Sequence, residues 1–105
     1  KVPILGVIEN MTTYVCPSCN YVENVFGSGG GESLCDEFGV VYLGALPLNS
    51  SIRMDCDSGV PSVVSKPESA ISTEYISIAG RIAVGIANMQ KSQKPRFPKI
   101  VIQKI

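Results

Sequence analysis

The sequence predicts an α/β fold in which helices cover a parallel sheet. Two apolar runs, residues 2–10 and 40–46, have the composition of strands that are buried on both faces. A short helical segment lies between them, and a longer amphipathic segment follows at residues 67–89. Strand, helix and strand joined by short connections form a βαβ unit, so we expect the two strands to be parallel.

Signals for the smaller elements lie between the two strands. Residues 12–26 alternate β-forming side chains around two cysteines, which predicts a small hairpin or knuckle. A run of glycines then breaks the chain. Residues 32–38 have the composition of a short helix, and Gly39 is placed to end it in a left-handed conformation.

Three further segments follow the second strand. Asn49 is a suitable cap for a short helix over residues 52–56. Residues 61–66 are expected to be extended, and Pro67 suits the first turn of the final helix. The apolar positions of that helix recur every three or four residues and form one stripe: Ile71, Tyr75, Ile78, Ile82, Ile86 and Met89.

The length and composition indicate one globular domain, or a piece of one, and exclude several kinds of chemistry. Of the 105 residues 45% are hydrophobic, and the formal net charge is zero. No apolar run approaches the roughly 18 residues of a membrane helix, and no secretory signal is visible. Without His there is no Ser-His-Asp or Cys-His catalysis. Because the chain also lacks Trp and is not basic, we expect no nucleic-acid partner. Because it has no apolar run of sufficient length, we expect no membrane partner.

The neutral total conceals an uneven distribution of charge. Residues 1–90 contain four basic and nine acidic side chains, whereas residues 91–105 contain five basic and no acidic ones. We therefore divide the chain into a main unit, residues 1–90, and a basic C-terminal tail, residues 91–105. A solvated tail is the simplest interpretation, and binding to an acidic surface is the alternative. Residues 100–102 have the composition of a short strand or a packed tail.

The sequence Cys-Pro-Ser-Cys at residues 16–19 is the sharpest local signal. Two intervening residues let the sulfurs of Cys16 and Cys19 face one tetrahedral ion or one iron–sulfur cluster. About four ligands are needed, so the others must come from Cys35 and Cys56 or from a second copy of the chain. A redox dithiol, a structural zinc site and a pair without a role are the alternatives. As single cysteines, Cys35 and Cys56 are expected to be small buried hydrophobic residues.

Residues 27–33, Gly-Ser-Gly-Gly-Gly-Glu-Ser, superficially resemble a phosphate-binding loop. The P-loop pattern requires a Lys before the final Ser or Thr, and Glu32 occupies that position. A carboxylate there would repel a phosphate. We therefore interpret the segment as a hinge that leads into a helix.

Asn10 follows the first predicted strand, and Pro47 and Leu48 follow the second. In open α/β sheets, ligands bind beyond the carboxyl ends of the parallel strands. The amide of an Asn donates and accepts hydrogen bonds at once, which suits the edge of a base. Taken alone, these positions are better explained as turn residues that end two strands.

Four motifs occur in one fixed order: Gly-Val-Ile-Glu-Asn-Met at residues 6–11, the cysteine pair at 16–19, Phe-Gly-Ser-Gly-Gly-Gly-Glu at 26–32, and Leu-Gly-Ala-Leu-Pro-Leu at 43–48. Together they closely resemble the C-terminal half of the Mrp-type ATPases, which are MinD/ParA-like deviant P-loop NTPases and serve as iron–sulfur cluster scaffolds and carriers. The resemblance covers residues 2–89 and implies a three-layer, P-loop NTPase-like fold with a parallel sheet. The family's Walker A loop, switch regions and Mg²⁺ ligands have no counterpart here. We therefore expect an incomplete domain, lacking the N-terminal half, that does not hydrolyse ATP alone.

The resemblance also implies roles for individual residues. Asn10 would contact the adenine of ATP, and Pro47 and Leu48 would border the base and the ribose. Cys16 and Cys19 would bind a [4Fe–4S] cluster shared between two protomers, in a homodimer or in a heterodimer with a related subunit.

The function implied by the resemblance is that of an ATP-binding iron–sulfur cluster scaffold and carrier, with Mg²⁺ accompanying ATP in the full-length family members. Its partners would be apoproteins that receive the cluster. The expected location is cytoplasmic, with a mitochondrial location left open. The alternative function is that of a stand-alone zinc-knuckle module for protein interaction.

Overall fold

The computed structural model describes residues 2–93, which form helices around a small parallel sheet and carry a separate hairpin. No helix within these residues is both long enough and apolar enough to span a membrane. In chain order the elements are β1 (Val7–Glu9), β2 (Tyr14–Val15), β3 (Val22–Glu23), α1 (Gly30–Phe38), β4 (Tyr42–Ala45), α2 (Ser50–Asp57), α3 (Ser62–Ser65) and α4 (Ala70–Gln93).

The sheet consists of β1 and β4, which are parallel and are connected through the hairpin and α1. The prediction of two parallel strands with a helix between them is therefore confirmed. However, β1 is shorter than the predicted strand, and the side chains of Val2 and Ile4 are 87% and 67% exposed. The expectation of a strand buried on both faces is wrong for the described residues, because no residue of β1 is fully buried and Ile8 is 42% exposed.

The hydrophobic core lies where α4 crosses β4. Leu43, Leu46 and Ile78 are buried there, which removes their apolar surface from water. Gly44 permits this close approach, since a Cβ atom at that position would lie 2.7 Å from Cγ1 of Ile78. Arg81 adds a polar link, in which Nη1 donates a hydrogen bond to the Leu43 carbonyl oxygen at 2.6 Å. The predicted apolar stripe of α4 thus faces the core, and Tyr75 and Ile82 pack at its edge, whereas Ile86 is exposed.

Local capping signals identified α1 and α2. Gly39 ends α1 with φ 65°, the left-handed conformation that was predicted for it. The Asn49 side chain accepts a hydrogen bond from the Ser51 amide at 2.8 Å and so caps α2. Both helices begin two residues earlier than predicted, at Gly30 and Ser50.

The prediction that residues 61–66 are extended is wrong, because the short helix α3 occupies this segment. The carboxylate of Asp55 accepts hydrogen bonds from the hydroxyls of Ser62 and Ser65, both at 3.0 Å. Both serines must therefore lie on the same side of the chain. Residues three apart share one side in a helical turn but point to opposite sides in an extended chain, so these contacts favour the helix.

The prediction that Pro67 lies in the first turn of the last helix is also wrong. Helix α4 begins at Ala70, and Pro67 lies in the preceding turn. Ser69 provides the cap, since its hydroxyl oxygen accepts a hydrogen bond from the Ser72 amide at 3.1 Å.

Helix α4 continues past the predicted boundary at residue 90 and is described as far as Gln93. The division into residues 1–90 and 91–105 stays a prediction. The segment predicted as a short strand or packed tail, residues 100–102, lies outside the described residues.

Candidate metal centre

The two cysteines of the Cys-Pro-Ser-Cys motif lie at the tip of the hairpin formed by β2 and β3. The strands are antiparallel, as the predicted hairpin requires. The Cys16 amide donates a hydrogen bond to the Tyr21 carbonyl oxygen at 2.9 Å, which extends the ladder to the first cysteine. Two opposed pairs precede it: Tyr14 with Glu23, and Val15 with Val22.

A tight turn holds Cys16 and Cys19 in one loop. The Asn20 amide donates a hydrogen bond to the Cys16 carbonyl oxygen at 2.8 Å and closes the turn. Asn20 adopts φ 60°, a left-handed conformation that Asn tolerates better than most residues. An Asn directly after the second cysteine is a sequence signal for this turn that our sequence analysis did not use.

The turn favours the thiolate form of Cys16. The backbone amide of Cys19, and next that of Ser18, donate toward the Cys16 sulfur and lower the pKa of this thiol below its ordinary value. Residues 10–31 contain no Lys or Arg, so within this segment backbone dipoles supply the stabilisation that a cation supplies elsewhere. The thiolate is the form in which a cysteine binds soft metals and clusters, so Cys16 is the more suitable candidate ligand of the two thiols in this loop.

The solvent exposure of Cys16 and Cys19 is compatible with a ligand bound at the protein surface. Cys19 is exposed and Cys16 is half-buried, so a metal or cluster can reach the pair from solvent. In residues 2–93, no group of three or more Cys, Asp or Glu residues is arranged to hold a metal ion. The pair therefore supplies two thiolates, and this part of the chain gathers no further ligands around it.

The other two cysteines lie elsewhere and differ from each other. Cys35, on α1, is only 6% exposed, which confirms the expectation of a small buried hydrophobic residue. Burial, followed by the charges of Asp36 and Glu32, raises the pKa of its thiol. The same expectation is wrong for Cys56, which is exposed because α2 buries none of its residues.

The predicted base-binding residues follow β1 and β4 at the same end of the sheet. Beyond the paired strands, the two chain segments stay side by side through three backbone hydrogen bonds. These run from the Leu46 amide to the Glu9 oxygen at 2.8 Å, from the Thr12 amide to the Leu46 oxygen at 3.0 Å, and from the Leu48 amide to the Thr13 oxygen at 2.8 Å. The backbones that carry Asn10, Pro47 and Leu48 are therefore neighbours.

The side chains of these three residues do not converge on one cavity. Asn10 is exposed, and its oxygen accepts a hydrogen bond from the Met11 amide at 2.9 Å. Pro47 lines a cavity of about 400 Å³ that reaches the start of α4. Leu48 lines a separate cavity of about 90 Å³, which Pro17 of the cysteine turn also borders.

Sequence reasoning missed a polar pair, Glu9 and Tyr42, on the two parallel strands. The Tyr42 hydroxyl donates a hydrogen bond to Oε1 of Glu9 at 2.9 Å. Burial first, and then this hydrogen bond and the Glu9 charge, raise the pKa of Tyr42 to about 12. A Cβ at Gly31 would lie 2.9 Å from the same Glu9 oxygen, so a glycine here lets α1 begin against the pair. The available signal was a charged residue closing an apolar strand.

Comparison with known proteins identifies the family. A ParA family model, described as "NUBPL iron-transfer P-loop NTPase", matches residues 1–83. The chain belongs to this family. The resemblance inferred from the four ordered motifs is therefore confirmed.

Relatives in bacteria and eukaryotes carry related names. The "Iron-sulfur cluster carrier protein" of Escherichia coli K12 is 42% identical over 83 residues, which are 79% of this chain and 22% of the relative. The "Iron-sulfur protein required for NADH dehydrogenase, mitochondrial" of Arabidopsis thaliana is 39% identical over 92 residues, 88% of this chain and 29% of the relative. The "Iron-sulfur cluster transfer protein NUBPL" of Dictyostelium discoideum is 35% identical over 104 residues, which are 97% of this chain and 32% of the relative. The matched region thus spans between about a fifth and a third of these relatives.

Proposed function

We propose that this chain is part of an iron–sulfur cluster carrier and that Cys16 and Cys19 bind a [4Fe–4S] cluster as its cargo. The observation that carries the proposal is the cysteine turn, in which the amides of Cys19 and Ser18 favour the Cys16 thiolate. Membership of a family whose relatives are named cluster carrier and transfer proteins supports it. In this role the cluster is later released to apoproteins.

The cluster would be shared between two protomers. A thiolate-held cluster of this kind takes four cysteine ligands, and one turn supplies two. A two-fold axis beside the turn would bring Cys16 and Cys19 of a second copy, or of a related subunit, to complete the set. Cys35 and Cys56 lie on α1 and α2, and no group of three or more potential metal ligands forms within residues 2–93, which favours this arrangement over a site within one chain.

Anaerobic reconstitution of single-cysteine variants tests the cluster site. We expect the unmodified chain to approach about two iron per chain, which is one four-iron cluster per pair. Cys16→Ser and Cys19→Ser should each abolish stable binding, because a serine oxygen is a poor replacement for a soft thiolate. The controls Cys35→Ala and Cys56→Ala should retain the iron and the acid-labile sulfide.

Two results would contradict the proposal. Loss of iron from Cys35→Ala or Cys56→Ala as complete as that from Cys16→Ser would place the site within one chain. Binding of zinc, with neither iron nor sulfide and without visible colour, would favour the alternative of a zinc-knuckle interaction module.

We also propose that the chain contributes the base-binding part of a three-layer P-loop NTPase domain, in which ATP binds with Mg²⁺ in the longer protein. Asn10 would contact the adenine, and Pro47 and Leu48 would border the base and the ribose. The hydrogen-bonded segments beyond β1 and β4 support this, since they stand where open α/β sheets bind ligands. The phosphates and Mg²⁺ would be held outside the 105 residues, so this chain alone should not hydrolyse ATP.

A nuclear magnetic resonance titration of the chain with ATP tests the base site. Shifts should concentrate at the amides of Met11 and Leu48 and should be weaker with GTP, which presents a different base edge. Asn10→Ala should reduce the apparent affinity roughly tenfold, the cost of leaving one hydrogen-bonding partner unpaired. Asn24→Ala, another exposed asparagine, is the matched control. If Asn10→Ala and the unmodified protein showed equal ATP-induced shifts and affinity, Asn10 would not contact the base and would serve only as a turn residue.

For the chain as a whole we propose a main unit at residues 1–90, which is the C-terminal half of the NTPase domain, followed by a basic tail at residues 91–105. The proposed location is the cytoplasm. A mitochondrial location is the alternative, because one relative is named as mitochondrial. Fluorescence microscopy of the tagged full-length protein distinguishes the two compartments.

A further inference from the structure

Glu74 carries a half-buried carboxylate that has no partner within residues 2–93. It lies in the second turn of α4 and lines the cavity of about 400 Å³ that Pro47 also borders. It takes part in neither of the ion pairs formed within these residues, and no hydrogen bond from them reaches it. The helix positions three and four residues away hold no basic side chain: Ala70, Ile71, Ser77 and Ile78. Capping does not explain the carboxylate either, because Ser69 provides the cap of α4.

The cavity beside Glu74 combines apolar walls with a few polar groups. Its apolar walls include Ala45, Pro47 and Ile71. Thr13 also lines it, and the hydroxyl of this half-buried residue forms no hydrogen bond within the part of the chain that the structure describes. Walls of this kind with a small number of polar groups are typical of sites for small molecules. The free groups are one carboxylate and one hydroxyl, so the cavity offers mainly hydrogen-bond acceptors.

The two elements that carry these polar groups are firmly held. The Leu48 amide donates a hydrogen bond to the Thr13 carbonyl oxygen at 2.8 Å, which fixes the segment that follows β1. In the first turn of α4 the fully buried Ser72 hydroxyl donates to two carbonyl oxygens of the preceding segment, at 2.6 and 2.8 Å. Glu74 follows two residues later. Its carboxylate therefore stands on a fixed element, which lowers the cost of ordering it around a ligand.

Resting on the proposed base site, we propose that this cavity binds the ribose of the nucleotide and that the Glu74 carboxylate accepts hydrogen bonds from its neighbouring hydroxyls. A carboxylate only accepts hydrogen bonds, so its ligand must supply donors. The two adjacent hydroxyls of a ribose match its two oxygens, and the apolar walls suit the carbon face of the sugar. The cavity lies at the carboxyl ends of β1 and β4, where open α/β sheets bind ligands, and shares Pro47 with the proposed base site.

The carboxylate gives the site two kinds of selectivity. It distinguishes ribose from deoxyribose, because the sugar that lacks one hydroxyl leaves one of the carboxylate's hydrogen bonds unmade. Its negative charge also disfavours a phosphate in the cavity, since like charges brought together are costly. The sugar would therefore occupy the cavity with the phosphates directed away from α4. Glu74 is a specificity-determining residue in this arrangement and takes no part in hydrolysis.

Titration of the complete 105-residue chain with adenosine and with deoxyadenosine, followed by nuclear magnetic resonance, tests the ribose site. Neither nucleoside carries a phosphate, so the measurement does not depend on phosphate-binding groups outside the chain. The unmodified protein should bind adenosine roughly tenfold more tightly than deoxyadenosine, as expected for a hydrogen bond to a charged group. Glu74→Ala should weaken adenosine binding by about the same factor and should bind the two nucleosides equally. Alanine favours the helix, so α4 is retained.

Two further variants separate the role of the carboxylate from general effects. Glu37→Ala removes an exposed carboxylate of α1, outside the cavity, and should retain the roughly tenfold preference for adenosine. Glu74→Gln keeps the shape of the side chain and one acceptor oxygen, so its preference should lie between those of the unmodified protein and Glu74→Ala. Because Gln is nearly isosteric with Glu, this variant also tests the inference if Glu74→Ala proves to be unfolded by circular dichroism.

Failure of this inference differs from failure of the proposed function. If adenosine shifts the amides of Met11 and Leu48 but the unmodified protein binds both nucleosides equally, the ribose site is refuted and the base site stands. Survival of the full preference in the folded Glu74 variants would refute it in the same way. If neither nucleoside shifts any amide, the base site fails and the ribose site fails with it. The cluster site is judged separately, by reconstitution of the cysteine variants.

Discussion

The crossing of β4 with α4 and the cysteine hairpin represent two different ways of ordering a chain. At the crossing, Leu43, Leu46 and Ile78 are buried, and the packing of a long helix fixes the strand. In the hairpin, Tyr21 and Val22 are more than half exposed, and backbone hydrogen bonds provide the order. The difference indicates that side-chain burial orders the crossing, whereas the hairpin is ordered mainly by its backbone. We therefore predict that a ligand bound at the tip would stabilise the hairpin more than the crossing.

The largest effect should come from removing a core side chain at the crossing. Ile78→Ala leaves a cavity beside Leu43 and Leu46, and we expect it to lower the free energy of unfolding by about 2–5 kcal/mol. Val64→Ala, at an exposed position, should change it by less than about 0.5 kcal/mol. Urea denaturation followed by circular dichroism measures both. Equal midpoints for the two variants would show that the crossing is not the stabilising core.

The second prediction concerns hydrogen exchange in the hairpin, which is compared with and without a bound cluster. Cluster binding should slow hydrogen exchange at the amides of Cys16 and Asn20 by roughly tenfold or more, because a ligand that binds only the folded turn stabilises it. Exchange at Leu43 and Ile78 should change much less. Loaded and metal-free protein are compared by mass spectrometry or nuclear magnetic resonance. Uniform slowing across the chain would show that the hairpin and the crossing unfold as one unit.

The sequence revealed those features of the fold that have local causes. The left-handed cap at Gly39, the side-chain cap at Asn49 and the apolar spacing along α4 each depend on residues within a few positions. The segment containing α3 was assigned wrongly because its conformation depends on Asp55, seven residues before Ser62. The length of β1 could not be predicted, because it depends on how many strands lie beside it.

The candidate site divides in the same way. The spacing of Cys16 and Cys19 was visible in the sequence and identified the candidate ligands. The amides that favour the Cys16 thiolate were not visible, because their direction depends on the path of the backbone through the turn. The exposure of Cys56 was also missed, since composition does not show that α2 lies on the surface without a buried face.

The third prediction compares Tyr42 in the sheet with Tyr21 on the hairpin by the stability of the protein at alkaline pH. The pKa of Tyr42 is raised to about 12 in the folded protein, above its ordinary value of about 10. Its neutral form therefore stabilises the sheet below about pH 10, and this contribution is lost as the pH rises from there through 12. Unfolding midpoints between pH 9 and pH 12 should fall in the unmodified protein and fall less in Tyr42→Phe. Tyr21→Phe, on the hairpin, should follow the unmodified protein.

The smallest effect concerns Asp55, which joins α2 to α3 through hydrogen bonds at the surface. Burial acts to raise the pKa of this carboxyl, but the hydroxyls of Ser62 and Ser65 and the nearby Lys66 outweigh it, so the pKa lies below its ordinary value. A carboxyl with a lowered pKa contributes stability above about pH 4, and this contribution is lost as the pH falls through its folded-state value. Thermal midpoints should therefore fall on acidification, and Asp55→Asn should flatten that profile.

The control for Asp55 is a neighbouring carboxylate on the same helix. Asp57 forms an exposed ion pair with Arg53 at 2.9 Å, and both side chains are about two thirds exposed, so Asp57→Asn should leave the acid profile nearly unchanged. If Asp57→Asn flattened the profile as much as Asp55→Asn, the effect would come from general charge and not from the contacts of Asp55. A specific effect would establish a third source of order, since Asp55 links two elements that share neither the buried core at β4 nor a metal site.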